Sequence, residues 1–171
     1  MPNADTFSIK PIKEFVQRYL SKSRVSVDPF ARNKRWATHT NDLNPETSAE
    51  YHLDAEEFVS LLRDNNKSAD LVLFDPPYSP RQISECYKGI GLEVGMKETQ
   101  SALLYQRVRN AIDTILKEDG IVLSFGWNSV GMGISRGFEL IEVLLVCHGG
   151  AHNDTICIAE KKVKNNQANL L

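Results

Sequence analysis

The stretch Leu71-Val72-Leu73-Phe74-Asp75-Pro76-Pro77-Tyr78 decides how the rest of the chain is read. Four apolar residues stopped by a turn signal predict a buried strand. Two prolines in series neither continue a strand nor open a long helix, so they set a rigid, extended corner. The corner puts Asp75 at the strand's C-terminal edge, where open α/β sheets bind their ligands. It also leaves the carbonyls of Asp75 and Pro76 without ladder partners, and the ring of Tyr78 follows at once. A carboxylate, a free carbonyl and an aromatic plane suit a flat ring that carries an exocyclic amino group. Acid and carbonyl accept the two amino hydrogens and the aromatic stacks on the ring. The plainer reading of the same residues is a proline-rich turn with a capping acid.

The chain around this corner has 171 residues, enough for one domain with a real core and too few for two of ordinary size. Its 42% hydrophobic and 25% charged content is that of an ordinary globular protein. No apolar run approaches the length that spans a bilayer, and the N-terminus lacks a basic-then-apolar signal pattern, so no membrane partner is expected. Cys86, Cys147 and Cys157 are odd in number and lack metal-ligand spacing; free thiols in a cytoplasm are the expectation. A net charge of −2 argues against strong non-specific duplex binding, which needs a broad basic face.

Before the corner, Pro11 suits the first turn of a helix, and Ile12, Phe15, Val16, Tyr19 and Leu20 recur at steps of three and four on one apolar face. Residues 24–27 predict a first strand, ending in Asp28-Pro29-Phe30-Ala31-Arg32-Asn33. Residues 37–40 predict a second, so close behind that the first crossover must be a loop with one helical turn at most. Asn41-Asp42-Leu43-Asn44-Pro45 is turn chemistry. Asp42 ends that second strand, where nucleotide-binding α/β folds grip ribose hydroxyls; a simple Asx-turn explains it equally. Asp54-Ala55-Glu56-Glu57 predicts a capping box, with Phe58, Leu61 and Leu62 on the inner face of the helix that follows.

After the corner, Ser79-Pro80 predicts a short helix through Ile83 and Tyr87, and the three glycines of residues 89–97 predict a loop bordering the site. Residues 101–117 carry the clearest helical period, stopped by Gly120. Residues 121–125 predict a buried strand, followed by Trp127, which either stacks on a base or packs under the loop. Residues 138–147 and 155–159 predict two strands joined by a Gly-Gly connection. His148, His152 and Asp154 in that connection lack further ligands at suitable spacing, so no metal is expected. Residues 1–7 and 162–171 are expected to be flexible. Strands and helices alternate and a hairpin closes the chain, which predicts a single α/β domain, a three-layer sandwich with a mostly parallel sheet.

Asp75-Pro76-Pro77-Tyr78 resembles the catalytic motif of amino-methyltransferases that use S-adenosylmethionine (SAM), above all the adenine-N6 DNA methyltransferases. Asp28 and Phe30 are similar to the start of that family's cofactor signature, Asp-x-Phe-x-Gly-x-Gly, but Arg32 and Lys34 stand where its glycines would be. The resemblance covers residues 25–161 and implies a Rossmann-like fold whose terminal hairpin inserts one antiparallel strand. It implies SAM as cofactor, held by Asp28, Phe30, Asp42, Asp54 and Asp75, with the N-terminal helix helping to enclose it. It implies Asp75, Pro76, Pro77 and Tyr78 as the catalytic corner, and Tyr78, Arg81 and Trp127 as contacts to nucleic acid. The expected reaction is methyl transfer to the N6 amino group of adenine in DNA. The same corner serves enzymes acting on exocyclic amines in RNA, including guanine-N2, and a non-catalytic subunit of this fold is a further reading. No stretch is long enough for a separate target-recognition domain, which suits an RNA substrate, a homodimer or a partner that supplies recognition. Small stand-alone enzymes of this type also occur in bacteriophages and mobile elements. A nicotinamide dehydrogenase fails because no Gly-x-Gly-x-x-Gly follows the first strand.

Overall fold

A computed structural model describes residues 6–77, 88, 91, 101–150 and 153–163, with the side chains of residues 101–104 left aside. Its elements run α1 (Lys10–Leu20), β1 (Ser26–Asp28), β2 (His39–Thr40), α2 (Ala55–Asp64), β3 (Ala69–Phe74), α3 (Ser101–Ile115), β4 (Leu116–Gly126), β5 (Phe138–Val146) and β6 (Thr155–Lys162). The strands form one six-stranded sheet in the order β2-β1-β3-β4-β6-β5. The pairs β1–β2, β1–β3 and β3–β4 are parallel. β6 runs antiparallel to both of its neighbours, so it alone opposes the rest, as the resemblance implied.

Helices cover both faces. On one side Ile12, Phe15 and Val16 of α1 pack on Leu71, Leu73, Leu123, Phe125 and Ala159. On the other, Phe58, Val59 and Leu62 of α2 and Val108, Ile112 and Ile115 of α3 pack on Val27, Val72, Phe74 and Val122. Alternate residues of β3 thus serve opposite layers, the period-2 geometry of a strand buried on both faces. α1 is also tied to β5, where Glu142 accepts from Arg18 at 2.9 and 2.6 Å and from the Tyr19 hydroxyl at 2.7 Å.

Several boundaries differ from the sequence reading. Residues 29–38 contain no helix, so the first crossover is a plain loop, within the limit its length had set. The inner face of α2 uses Val59, while Leu61 is exposed. The long helix stops at Ile115 rather than at Lys117, because Leu116 is buried opposite Ala69 and already belongs to β4. The ladder then jumps to Leu71 opposite Ile121, and the extra residues bulge outward, with Asp119 at φ 61°. A Cβ on Gly120 would lie 2.8 Å from Leu116 Cγ and 2.9 Å from the Lys117 carbonyl, so this glycine serves close packing under the bulge. Phe7 is buried, stacked on Trp36 at 5.7 Å and tilted against Phe125 at 5.0 Å, so the ordered fold starts earlier than expected. At the other end Lys161 and Lys162 continue β6, opposite Glu139 and Phe138. Their backbone completes the ladder with β5, so the strand runs on into residues expected to be flexible. The helix expected after Ser79-Pro80 and the loop at 89–97 fall almost entirely outside the described residues.

At the N-terminal edge of the sheet, Asp70 collects the backbone N–H groups of Arg24 and Val25 at 3.1 and 2.9 Å and Lys117 Nζ at 2.7 Å, joining β1, β3 and β4. The hydrogen bond from Lys117 holds its carboxyl below the ordinary carboxylate range. Its folded value lies below the unfolded one, so its contribution is intact above about pH 4 and is lost as pH falls further. Asp70→Ala, which also strips two backbone donors of their acceptor, is expected to cost about 1–2 kcal/mol in urea unfolding at pH 7. The loss should shrink at pH 3; a cost unchanged between the two pH values would contradict the assigned role.

Candidate functional site

The strand order reverses between β1 and β3: after β1 the chain moves out to β2, and after β3 it moves the other way to β4. The crevice beyond the C-terminal ends of these two strands is where an open α/β sheet accepts a ligand. Asp28 is the last residue of β1 and Asp75 follows β3 directly, so both predicted acids sit at the mouth of the crevice.

Asp28 is 1% exposed. Its Oδ1 accepts from the Phe30 backbone N–H at 3.0 Å, while Oδ2 is buried with no hydrogen-bond partner among the described residues. Burial raises its carboxyl well above the ordinary range, and the nearby charges of Asp75 and Asp42 push the same way against the Phe30 bond. The Cys157 thiol on β6 is pushed up to about 12, by burial first and by Asp75 second. Asp75 itself is half-buried. Phe30 meets Phe74 edge to face at 6.0 Å, so its ring belongs to the core flank of the crevice.

The loop after β1 is built without the glycines of the resembled signature. Arg32 adopts φ 52°, the left-handed conformation that glycine would hold at no steric cost. Asp42 compensates: its Oδ2 accepts from the Arg32 backbone N–H at 3.0 Å, and its Oδ1 accepts from Asn44 at 2.9 Å, which is the Asx-turn. Asp54 is the N-cap of α2, accepting from Glu56 rather than from Glu57, at 2.9 Å.

Asn41 is the residue the sequence reading passed over as part of a turn. It is 1% exposed. Its Nδ2 donates to the carbonyls of Pro29 and Leu53 at 3.1 and 3.0 Å, and its Oδ1 accepts from the Leu53 N–H at 3.0 Å. Its backbone exchanges bonds with Asp28 and Ala31. One side chain thereby binds the loops after β1 and before α2, where a single bridge joins Asn41 and Tyr51. A buried asparagine in a loop of turn-forming residues leaves no periodic signature.

Beside Pro76, on the α3 side of the sheet, lies a cavity of about 90 Å³ lined by Phe74, Pro76, Tyr105, Arg109, Ser124, Phe125, Gly126, Trp127, Asn128 and Gly131. Trp127 is 41% exposed there, so it borders open space instead of packing fully under the loop. Arg109 lies over the Phe74 ring at 5.7 Å. Burial, together with the charge of Arg136, lowers its guanidinium from its ordinary value. The loop following β4 is held by Glu160, 4% exposed, which accepts from Met132 N–H at 2.6 Å and Gly133 N–H at 2.9 Å. A side chain on Gly131 would collide with that carboxylate, so glycine is required there. Arg109, Ser124 and Asn128 were not singled out from sequence; each is one polar residue inside a pattern already explained by helix, strand or turn. Tyr78 and Arg81 lie outside the described residues. His148 and Asp154, in the β5–β6 connection, are engaged locally: His148 N–H donates to Asp154 Oδ1 at 3.0 Å and its ring meets Thr155 Oγ1 at 2.8 Å.

No protein-family model matches the sequence, and no curated protein matches it significantly. Solved structures do match the fold. The N-methyltransferase NodS from Bradyrhizobium japonicum WM9 superposes with a TM-score of 0.59 at 9% identity, over 96% of this chain and 100% of that one. SMU.776, crystallised with SAH, gives 0.58 at 12% identity over 87% of this chain and 49% of that one. TrmN from Thermus thermophilus gives 0.56 at 16% identity over 89% and 48%. The chain therefore spans about half the length of SMU.776 and TrmN and the whole of NodS. The class is settled at the level of fold: this is the Rossmann-like architecture of the SAM-dependent methyltransferases.

Two outcomes test this geometry. The folded Asp28 carboxyl lies above its unfolded value near pH 4, so stability falls as pH rises from there. Asp28→Asn should flatten the pH dependence of urea unfolding just above pH 4; an unaltered slope would contradict the assigned role of Asp28. Arg32→Gly relieves a left-handed residue whose side chain is exposed, and should raise stability by up to about 1 kcal/mol in thermal unfolding. A loss of that size instead would mean that the Arg32 side chain supports the loop.

Proposed function

We propose that this chain is a SAM-dependent amino-methyltransferase that acts on the N6 amino group of adenine in DNA. The observation that carries the reading is the position of Asp75-Pro76-Pro77, at the C-terminal end of β3 beside the strand-order reversal and within electrostatic reach of Asp28.

The crevice residues fit the cofactor. Asp28 offers a buried oxygen without a partner among the described residues, Phe30 an apolar flank, and Asp42 and Asp54 carboxylates at the loop and helix start beside them. On this reading Asp28 and Phe30 contact the cofactor, Asp42 its ribose and Asp54 its adenine amino group. When bound, SAM supplies an electrophilic methyl group on a sulfonium. Asp75 and the Pro76 carbonyl accept the two amino hydrogens of the target base. Those bonds draw the nitrogen out of conjugation with its ring toward a tetrahedral state, localising its lone pair. Pro77 stiffens the corner and Tyr78 stacks on the base, which must leave a duplex to arrive there. Asp75 need take no proton beforehand, since the nitrogen becomes more acidic once methylated. Arg81 is assigned to a phosphate and Trp127 to the target side.

An RNA base is the second reading, favoured by the net charge of −2, which lacks the basic excess a stand-alone duplex binder uses. Transfer of tritium from labelled SAM to duplex DNA, single-stranded DNA and RNA separates the substrates. Asp75→Ala is expected to lower kcat by at least tenfold, roughly 1.4 kcal/mol of barrier, with SAM affinity changed far less. Turnover kept within threefold would sink the mechanism. Absence of SAM binding at millimolar concentration in calorimetry would leave a non-catalytic subunit of the same fold.

A further inference from the structure

β5 closes one edge of the sheet, pairing with β6 alone among the described residues, and its two faces differ. Glu142 and Leu144 stand opposite Ala159 and Cys157, on the side that α1 covers. Leu140, Val143 and Leu145 stand opposite Glu160, Ile158 and Ile156, on the other side. There α2 and α3 pack over Val27, Val72, Phe74 and Val122, which belong to β1, β3 and β4. Leu140, Val143, Leu145 and Ile141, the extra residue at the register shift, are left between 44% and 56% exposed. The loop before β5 lies on that same side, since a Cβ on Gly131 would collide with the Ile158 and Glu160 side chains. It adds Val130 and Ile134, which are more exposed still. Six large apolar side chains so gathered make a patch of several hundred Å², at the upper end of what a lone globule carries. The strand's outer edge is open as well. Its nine residues include no proline and no lysine, the residues that commonly blunt an edge, and Glu142 is already spent on Arg18 and Tyr19.

We infer that β5 is the contact between two copies of this chain, which pair their β5 strands antiparallel about a two-fold axis at Val143 and join two sheets into one. An axis normal to the sheet keeps each face on its own side, so every residue must meet one of the same face. Centred on Val143, Ile141 meets the second copy's Leu145, Val143 meets its own counterpart, and Glu142 meets Leu144 on the α1 side. Centred on Glu142, the two carboxylates would oppose each other, which is destabilising. Centred on Leu144, Ile141 would fall opposite Cys147, beyond the end of the strand. The register shift between Leu140 and Glu142 ends the regular ladder, which therefore spans residues 141–145, an ordinary strand length. A different partner would have to bring the same alternation, whereas this strand supplies it to itself. The apolar patches of two copies together reach the roughly 1,000 Å² that a specific interface needs. β5 lies three strands from β3, about 14 Å at ordinary strand spacing, so the crevice stays open in both copies. The contact is thus distinct from the proposed methyl-transfer site.

The test is light scattering after size exclusion, from low to high micromolar concentration. The mass is expected to rise from the 19.2 kDa of one chain toward twice that value. Val143→Lys with Leu145→Lys, both at exposed positions, should hold the single-chain mass throughout, with the circular dichroism of the wild type. Disulfide trapping then reads the register on the native surface. Directly opposed residues of an antiparallel pair have Cα atoms roughly 4.5–5.5 Å apart, within the span of a disulfide. With Cys86→Ser and Cys147→Ser in place, Val143→Cys should give a crosslinked dimer on mild oxidation. Leu145→Cys alone should not, whereas Ile141→Cys combined with Leu145→Cys should. A single-chain mass at every concentration overturns the interface, whether the patch is bare, covered by other residues of this chain or kept for a different protein. A dimer that the two lysines leave intact overturns it as well. Crosslinking of Leu145→Cys as readily as Val143→Cys overturns the two-fold at Val143.

Discussion

The molecule depends on the parallel pairing of β1 with β3, Ser26 opposite Leu71 and Val27 opposite Val72. That register sets the ends of the two strands side by side, while their connections leave in opposite directions. The edge between them cannot be covered by either following loop, so a crevice opens there. It also brings Asp28 and the Asp75 corner together with the apolar layer beneath. Burial raises the Asp28 carboxyl well above its ordinary range, and the nearby charge of Asp75 pushes the same way. The placement of the two acids is thus a consequence of strand register, reinforced by the burial of Val27, Val72 and Phe74 against α2 and α3.

Around that edge the fold substitutes side-chain hydrogen bonds for missing backbone structure. Asn41 ties together the loops after β1 and before α2, and Asp42 secures a left-handed arginine where a glycine would turn freely. On the opposite flank Glu160 performs the same task for residues 131–133, receiving two consecutive N–H groups. Each carboxylate or amide is satisfied by loop backbone, the condition under which a polar group is tolerated in a core. The contrast with Asp28 Oδ2, Ser124 Oγ and Arg109 Nε is informative. These retain unmet capacity at the two spaces able to receive a ligand, whereas the bracing residues have theirs filled.

Much of this was legible in residue order. The run 71–74 and its acid-proline-proline stop identified β3, and the spacing of Ile12, Phe15 and Val16 identified α1 and its buried face. Asp54 as the cap of α2 followed from local chemistry alone. The exchange between helix and strand at Leu116 was not legible, because a leucine continuing a helical period looks the same as one opposing Ala69 in a ladder. Nor were Phe7 and Lys162 recognisable as ordered, since their partners, Trp36 and Phe125 for one and Asp113 for the other, lie far off in the chain.

By itself, then, the sequence determined the main helices, the buried strand 71–74 and the closing hairpin, which rest on local periodicity and on what proline forbids; the inserted antiparallel strand was implied by the resemblance. Tertiary structure alone decided that Asp28 is sealed from water with one oxygen unmet, that Asn41 knits the crevice loops, and that Arg109 from a helix shares a cavity with Ser124 from a strand. Burial and donor–acceptor balance arise from residues distant in sequence meeting in space, and no local pattern encodes which polar atom will be left without a partner.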